Sequence, residues 1–522
     1  MKVLLMLALI AVRAPVRATD VSTFHNDNAR SGHNAAETIL TTTNVQSATF
    51  GKLYNVAVDG TVDAQPLYLA SISIPNQGTH NVLYVVTEND SAYALDADTG
   101  SVLWKMSALG TGEVPSDAHS CGQISPQIGI TDTPVIDRTA GPHGTIYFAA
   151  MSKDTSGNYY QRLHALDVTT GAEQFSGPVT IQAQYPGTGD NSQGGYVIFA
   201  PGQYAERAGL LELHGVIYTA WTSHCDQRPY TGWIIGYNKN TLAQTSVLNV
   251  TPNGNEGSIW QAGGGLVSDG ASIYFLDANG VFDTTLNAQG FPSQGDYGNA
   301  FVKLSITDHK LAVADYFEMD NGVSESDSDT DLGSGGAMLL PVQTDSGGTQ
   351  RHLAIGAGKD SNIYIVDTTN MGKFNANSDS AIYQQLTGAL PGGVWAVPAF
   401  LGEHVFYGPE GGQMLSFQFR NALLGTTASS KTATSFTYPG TSPSVSANGG
   451  TNGIVWAIEH VNPSVLHAYT ATNLATELYN TNQASGSRDQ FGQAAHFGTP
   501  TIVNGKVYVG TTNSVAAFGL LP

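Results

Sequence analysis

Positive charge is scarce in this chain: 21 Lys and Arg stand against 42 Asp and Glu, for a formal net charge of −21. No basic stripe forms anywhere, which disfavours nucleic acid and anionic lipid as partners. Cysteine is almost absent, with Cys121 and Cys225 alone, so there is no multi-bridge framework and no cysteine-rich zinc site. Beyond residue 12 no apolar run is long enough for a membrane helix. The sequence also lacks a Gly-x-Ser-x-Gly elbow, a His-Glu-x-x-His pair and a phosphate-binding Gly-Lys-Ser/Thr loop, and Gly263-Gly-Gly265 follows no dinucleotide pattern. Those absences remove the common hydrolase, zinc-protease and nucleotide templates. Charged residues make up only 12% of the chain while glycine numbers 60, a balance that suits a turn-rich β protein.

What is present begins with one Lys, an apolar run from Val3 to Val12 and the small-residue end Val16-Arg-Ala18. About ten apolar residues are too few to span a bilayer, so residues 1–18 read as a cleaved secretory signal and the mature chain as secreted or periplasmic. Residues 19–47 read as an N-terminal arm, and 48–522 as one large repeat array. Asn249-Val-Thr251 is a glycosylation acceptor in a eukaryotic secretory pathway.

The stretch from Leu83 to Trp104 packs two strands, a tight turn and a third strand into one unit, and Tyr147 to Phe175 repeats it. Asp167, Gly171 and Phe175 stand where Asp96, Gly100 and Trp104 stood. In the Asp-x-x-Thr-Gly turn the Asp and Thr side chains bond turn amides, Gly tolerates positive φ and the aromatic packs between neighbouring units. Eight such units can be anchored, from Gln65-Pro-Leu-Tyr-Leu to Thr499-Pro-Thr-Ile, at intervals of roughly 45 to 75 residues, room enough for four strands each. The last unit runs out of chain after three strands. Lys52–Val58 is available to supply the fourth, which would close the ring and remove two exposed sheet edges. The expected fold is therefore all-β: an eight-bladed β-propeller of four-stranded antiparallel blades, closed by pairing the N-terminal strand with the C-terminal blade. Seven blades is the alternative, if the irregular seventh unit around Trp456 belongs to a neighbour.

At Ala94-Leu-Asp-Ala-Asp-Thr-Gly-Ser-Val-Leu-Trp104 the chain resembles the pyrroloquinoline quinone (PQQ) repeat of the quinoprotein alcohol dehydrogenase-like propellers. The resemblance implies the propeller architecture over the whole mature chain. It implies catalysis less directly, because the adjacent Cys-Cys pair of alcohol-oxidising members and the Cys-x-x-Cys-His haem segment of some are both absent. In such quinoproteins an aspartate pair at a blade entrance helps hold Ca²⁺ and takes the alcohol proton while the quinone accepts the hydride. Asp329 and Asp331 are the residues here to which that role would pass.

In a propeller the links between blades and the loops between second and third strands emerge on one face, which sorts the unusual residues. Cys121 and Cys225 map to that face and can form one disulfide; two separate buried small residues is the other reading. Beside them fall Glu113, Asp117 and His119, then His224, Asp226 and Arg228, with His496 from the last link. Together they form a candidate ligand-binding rim whose histidines and carboxylates could bind a transition metal, against the reading of solvated loop residues. Asp327-Ser-Asp-Thr-Asp331 places three carboxylates, Asp327, Asp329 and Asp331, at alternate positions suited to Ca²⁺, against the reading of an acidic solvated loop. Gly-x-x-Trp recurs just before or within an inner strand at Trp260, Trp395 and Trp456, the last in Gly453-Ile-Val-Trp456 read as the inner strand of the seventh unit, giving three indoles for stacking on a planar ligand or for packing between blades.

The expected role is binding of a small molecule or protein at the Trp- and Asp-bearing face by a monomeric propeller with no membrane insertion. The alternatives are a PQQ- and Ca²⁺-dependent oxidoreductase acting on an alcohol or sugar, and a scaffold for envelope assembly.

Overall fold

The computed structural model describes residues 20–522; the expected signal segment 1–18 lies outside the described residues. Among the described residues eight sheets of at least four strands follow one another along the chain. Sheet 1 runs from Leu67–Ile74 through Gly78–Thr87 and Ser91–Asp96 to Val102–Ser107, each strand antiparallel to the one before. Sheets 2 to 7 repeat that meander, opening at Val135–Asp137, Leu211–Leu213, Val267–Ser268, Met338–Leu339, Ala399–Leu401 and Ser444–Asn448. Sheet 8 takes Thr501–Val503, Lys506–Gly510 and Ser514–Leu520 from the C-terminal end and Phe50–Ala57 from the other. That last pairing runs antiparallel from Phe50 opposite Leu520 to Ala57 opposite Ser514.

Middle strands are buried over most of their length, and throughout in Ser91–Asp96, while the outer strand Val102–Ser107 is exposed or half-buried throughout. A strand buried on both sides needs a packing layer on each face of its sheet. The apolar clusters supply those layers between neighbouring sheets: one joins sheets 2 and 3, another sheets 4 and 5, another sheets 7 and 8, and the largest spans sheets 8, 1 and 2. Stability is thus shared among many interfaces rather than held in one centre.

The repeated turn shows how one sheet is keyed to the next. Asp96 accepts from the amides of Asp98 and Thr99, both at 2.8 Å, and Gly100 follows with φ +79°. In sheet 2 Asp167 accepts from the Thr169 amide at 2.8 Å, and Gly171 sits at φ +70°. Trp104 lies flat enough on that second turn that a Cβ on Gly171 would stand 2.7 Å from its ring, and its indole donates to the Val168 carbonyl at 3.1 Å. Phe175 packs against the apolar layer between sheets 2 and 3. On the other side, Tyr54 and Val56 of sheet 8 crowd Gly100 of sheet 1 in the same manner, and the hydroxyls of Tyr54 and Tyr508 donate to the Ala97 carbonyl at 2.7 and 2.9 Å.

The seventh unit departs from its sequence reading. Gly453-Ile-Val-Trp456 is not an innermost strand; it belongs to Thr451–Glu459, the second strand, and Ser444–Asn448 lies inside it. Ser444-Val-Ser-Ala is a weak apolar signal, so the stronger Ile-Val-Trp phrase drew the assignment one strand outward.

The arm touches each sheet in turn. Val21 pairs with Tyr68 of sheet 1, and the Ser22 carbonyl accepts from Ile136 of sheet 2. The carbonyls of Asn28, Ala29, Ser31 and Gly32 then accept from Ser268, Leu339, Phe400 and Val445, in sheets 4 to 7. Asn34 reaches the Ile502 carbonyl of sheet 8 at 2.9 Å, and Arg30 covers sheets 3 and 4 by donating to Leu210 O and Leu266 O at 3.2 and 3.1 Å. Arg30 is fully buried and also donates to Thr23 Oγ1 and Phe24 O. Burial lowers its pKa to about 10, which leaves it charged at neutral pH. Arg30→Ala removes a buried cation and strands several carbonyls at once, so we expect a loss of about 3 kcal/mol or more in urea unfolding; an unchanged midpoint would mean the arm does not fasten the sheets.

Candidate functional site

The segments leading into innermost strands and the loops between second and third strands meet on the face away from the arm's carbonyl contacts, around a cavity of about 200 Å³. Trp260 and Trp395 come from the entries to sheets 4 and 6, Asp331 from the entry to sheet 5, and Lys359 and Asp226 from second-to-third strand loops of sheets 5 and 3. Trp260 abuts Phe497 edge-on at 5.0 Å, and Trp395 abuts Tyr438 in the same way at 5.3 Å. The indoles are half-buried, each with a face held by an aromatic neighbour.

The charges at the cavity floor centre on Lys359. Its ammonium lies 2.7 Å from Asp331 Oδ1, contacts Asp329 Oδ1 as well, and stands 6.0 Å from the Trp395 ring centroid. Asp329 also accepts from the Asn279 amide at 2.8 Å, whose own carbonyl oxygen is buried without a hydrogen-bond partner among the described residues. Burial pushes Asp331 up to about 6, and the Lys359 ammonium opposes that rise. Burial acts on Lys359 in the opposite sense, but the two carboxylates outweigh it and hold its pKa above the ordinary lysine value. Next to Asp331 lie Asp277 and, further in, Glu318; burial, then neighbouring carboxylates, pushes both well above the usual carboxylate range. Neither oxygen of either group has a hydrogen-bond partner among the described residues. Glu325, pushed up to about 7 chiefly by burial, completes this acidic interior.

One wall of the cavity is a disulfide between Cys121 and Cys225, Cα atoms 5.5 Å apart, which joins the link between sheets 1 and 2 to the sheet 3 loop. His119 and His224 stack beside it at 4.0 Å. Burial lowers His224 to about 3, so it is neutral at physiological pH.

Among solved structures the chain is similar to a quinohemoprotein alcohol dehydrogenase from Comamonas testosteroni, at TM-score 0.63 and 13% identity over 96% of this chain and 80% of that one. It is similar to a quinohemoprotein alcohol dehydrogenase from Pseudomonas putida, at TM-score 0.63 and 12% identity over 97% and 80%. A europium-containing methanol dehydrogenase matches at TM-score 0.59 and 11% identity over 96% and 98%. The fold is a β-propeller of the quinoprotein alcohol dehydrogenase type. At such identities the likeness establishes the fold alone. No protein-family model matches the chain, and no curated protein does.

The propeller brings seven of the expected site residues to one cavity: Trp260, Trp395, Asp226, Asp329, Asp331, Cys121 and Cys225. Others lie elsewhere. Trp456 is fully buried, donates to Ser446 Oγ at 2.9 Å and packs on Phe50, so it serves the layer between sheets 7 and 8. Arg228 is engaged by Asp190 through two contacts at 2.8 and 2.9 Å. His496 is exposed, 6.3 Å from the Tyr438 ring. Asp327 is exposed at the end of the helix Gly322–Asp327, because that helical turn rotates it away from Asp329 and Asp331. Among the described residues no three His, Cys, Asp or Glu side chains converge in metal-holding geometry. The Asn249 sequon is buried, its amide given to Thr231 Oγ1 at 2.8 Å, out of reach of a glycosyl donor.

Lys359 and Asn279 escaped the sequence reading. Both occupy second-to-third strand loops, the position of Cys225 in its own sheet, and scanning every such loop would have found them.

Two measurements check this site. Denatured without reductant, the protein should show no free thiol, against two after reduction. Asp331 and Glu325 titrate higher in the fold than in the unfolded chain, so their contribution favours the fold below about pH 4 and is lost as pH rises through about 6 to 7. Tm should therefore fall between about pH 4.5 and 7.5, by an amount on the order of 3 kcal/mol in stability. Asp331→Asn with Glu325→Gln should flatten that slope; an unaltered slope would place the titration elsewhere.

Proposed function

We propose that this chain is an exported, eight-bladed, closed propeller that binds a planar quinone at the channel mouth and oxidises an alcohol or sugar there. The closed ring is supported by the Phe50–Ala57 pairing with Ser514–Leu520 and by the contacts of Tyr54 and Tyr508 with the Ala97 turn. Export is supported by the apolar N-terminal run and by the disulfide, a bond that persists in oxidising compartments.

The observation that carries the reading is the meeting in one cavity of two indoles, a disulfide, a buried aspartate near its titration point and a lysine clamped beside it. These residues fit PQQ chemically. Trp260 and Trp395 offer flat apolar faces, Lys359 a cation for its carboxylate or quinone oxygens, and Asn279 a buried acceptor still unpartnered. Bound PQQ supplies the hydride acceptor. Asp331 takes the hydroxyl proton of the substrate, and Lys359 keeps it a carboxylate at neutral pH. Asp329, exposed and turned toward Lys359, orients that lysine. Ca²⁺ has no part in this proposal: the residues do not fit it, since Lys359 fills the place between Asp329 and Asp331 and Asp327 points away.

Addition of PQQ should quench tryptophan fluorescence with and without Ca²⁺, and dye reduction should follow with some member of an alcohol and sugar panel. Asp331→Asn should leave the quench and lower turnover by about 100-fold or more. Absence of any quench at saturating PQQ, in the native protein and in the Cys121→Ser/Cys225→Ser variant alike, would end the quinone reading, and a quench without turnover would leave binding as the function.

A further inference from the structure

Residues 117–127 form a strap across the cavity. Its base is shut: Asp117 and Gln127 pair as an antiparallel bridge, and the Ile128 amide donates to the Ser116 carbonyl at 3.0 Å. Sheet 2 anchors that base, with the Lys153 ammonium at 2.5 Å and the Tyr159 hydroxyl at 2.9 Å from Asp117 Oδ1. Toward the tip the strap reaches two other parts of the ring. Gln123 accepts from the Tyr438 hydroxyl, beyond sheet 6, and the His119 carbonyl accepts from Gln227 of the sheet 3 loop at 2.8 Å.

The apolar hold of the strap is small. Ile124 and Ile128 sit in a cluster with Met151 and Ala205 that stands apart from the layers between sheets. Cys121–Cys225 is the only covalent tie, and it lies at the tip. Cys225 is exposed while Cys121 is 7% exposed, so a thiol arriving from solvent meets the bond from the Cys225 side. With the strap down, the cavity of about 200 Å³ is smaller than the roughly 300 Å³ at which small-molecule sites begin. The strap supplies Cys121 and Gln123 to the cavity wall, so lifting it widens the cavity.

We propose that the Cys121–Cys225 disulfide is a thiol-reducible latch that holds the strap over the cavity. An external dithiol opens it: one thiolate attacks the Cys225 sulfur, the electron pair leaves on Cys121, and the second thiol displaces Cys225. The dithiol ends as a disulfide, and its two protons end on Cys121 and Cys225 as thiols. The freed strap then turns about its Asp117–Gln127 base and exposes Trp260 and Trp395. Nothing in this depends on what the cavity binds, so quinone binding and the latch can fail separately.

The test uses the full chain in its oxidised form, after dithiothreitol, and as the Cys121→Ser/Cys225→Ser variant, with acrylamide as the probe of the cavity. Hydrogen exchange of residues 116–128 should be at least about ten-fold faster in the reduced protein and in the variant. Acrylamide quenching of Trp260 and Trp395 should rise with it, measured in a Trp104→Phe background, since Trp221, Trp233 and Trp456 are fully buried. Protection of residues 83–95 in sheet 1 should not change. If the strap stays protected once both thiols are shown free, the latch is overturned. If protection in sheet 1 is lost as well, it is equally overturned, because the bond is then a staple of the whole fold.

Discussion

A strand from one end of the chain completes the sheet made by the other end, and much of the structure depends on that pairing. Phe50–Ala57 covers Ser514–Leu520, which would otherwise present a long row of unpaired backbone groups. The same strand sends Tyr54 and Val56 onto the Gly100 turn of sheet 1, so sheets 8 and 1 meet through contacts of the kind that join sheets 1 and 2. Apolar layers between sheets then need no single centre, and no one layer carries the fold.

The arm adds a second constraint of a different kind. A run of backbone carbonyls from Ser22 to Gly32, with Arg30 and Asn34, is shared out among successive sheets, so a local opening between two sheets must break contacts that belong to the arm. Each contact is an ordinary hydrogen bond of modest net value, but the buried guanidinium makes the set hard to lose piecemeal. With one end of the array held this way, the loops of the other end are free to carry chemistry.

The chemistry at that end is electrostatic. Five buried or half-buried groups, Asp331, Asp277, Glu318, Glu325 and Lys359, share a region with little access to water, and only one of them is a cation. Burial pushes Asp277 and Glu318 well above the usual carboxylate range and Glu325 up to about 7, whereas Asp331, the one of these four carboxyls that touches Lys359, is held at about 6. A carboxyl poised in that way beside two indoles suits proton transfer better than ion storage.

The sequence by itself determined the all-β repeat, the unit boundaries apart from the seventh, the strand at 52–58 available for sheet 8 and the face on which Cys121 and Cys225 would meet. Those follow from local rules: apolar alternation, turn chemistry and the direction in which a meander must run. Which side chains converge was decided only by the tertiary structure. One helical turn at Gly322–Asp327 removed Asp327 from its neighbours, a one-strand shift buried Trp456, and Lys359 entered the site from a loop with no motif. Spacing along a chain says which residues share a face, but the distance between loops of different sheets is set by how those sheets pack, which no local pattern records.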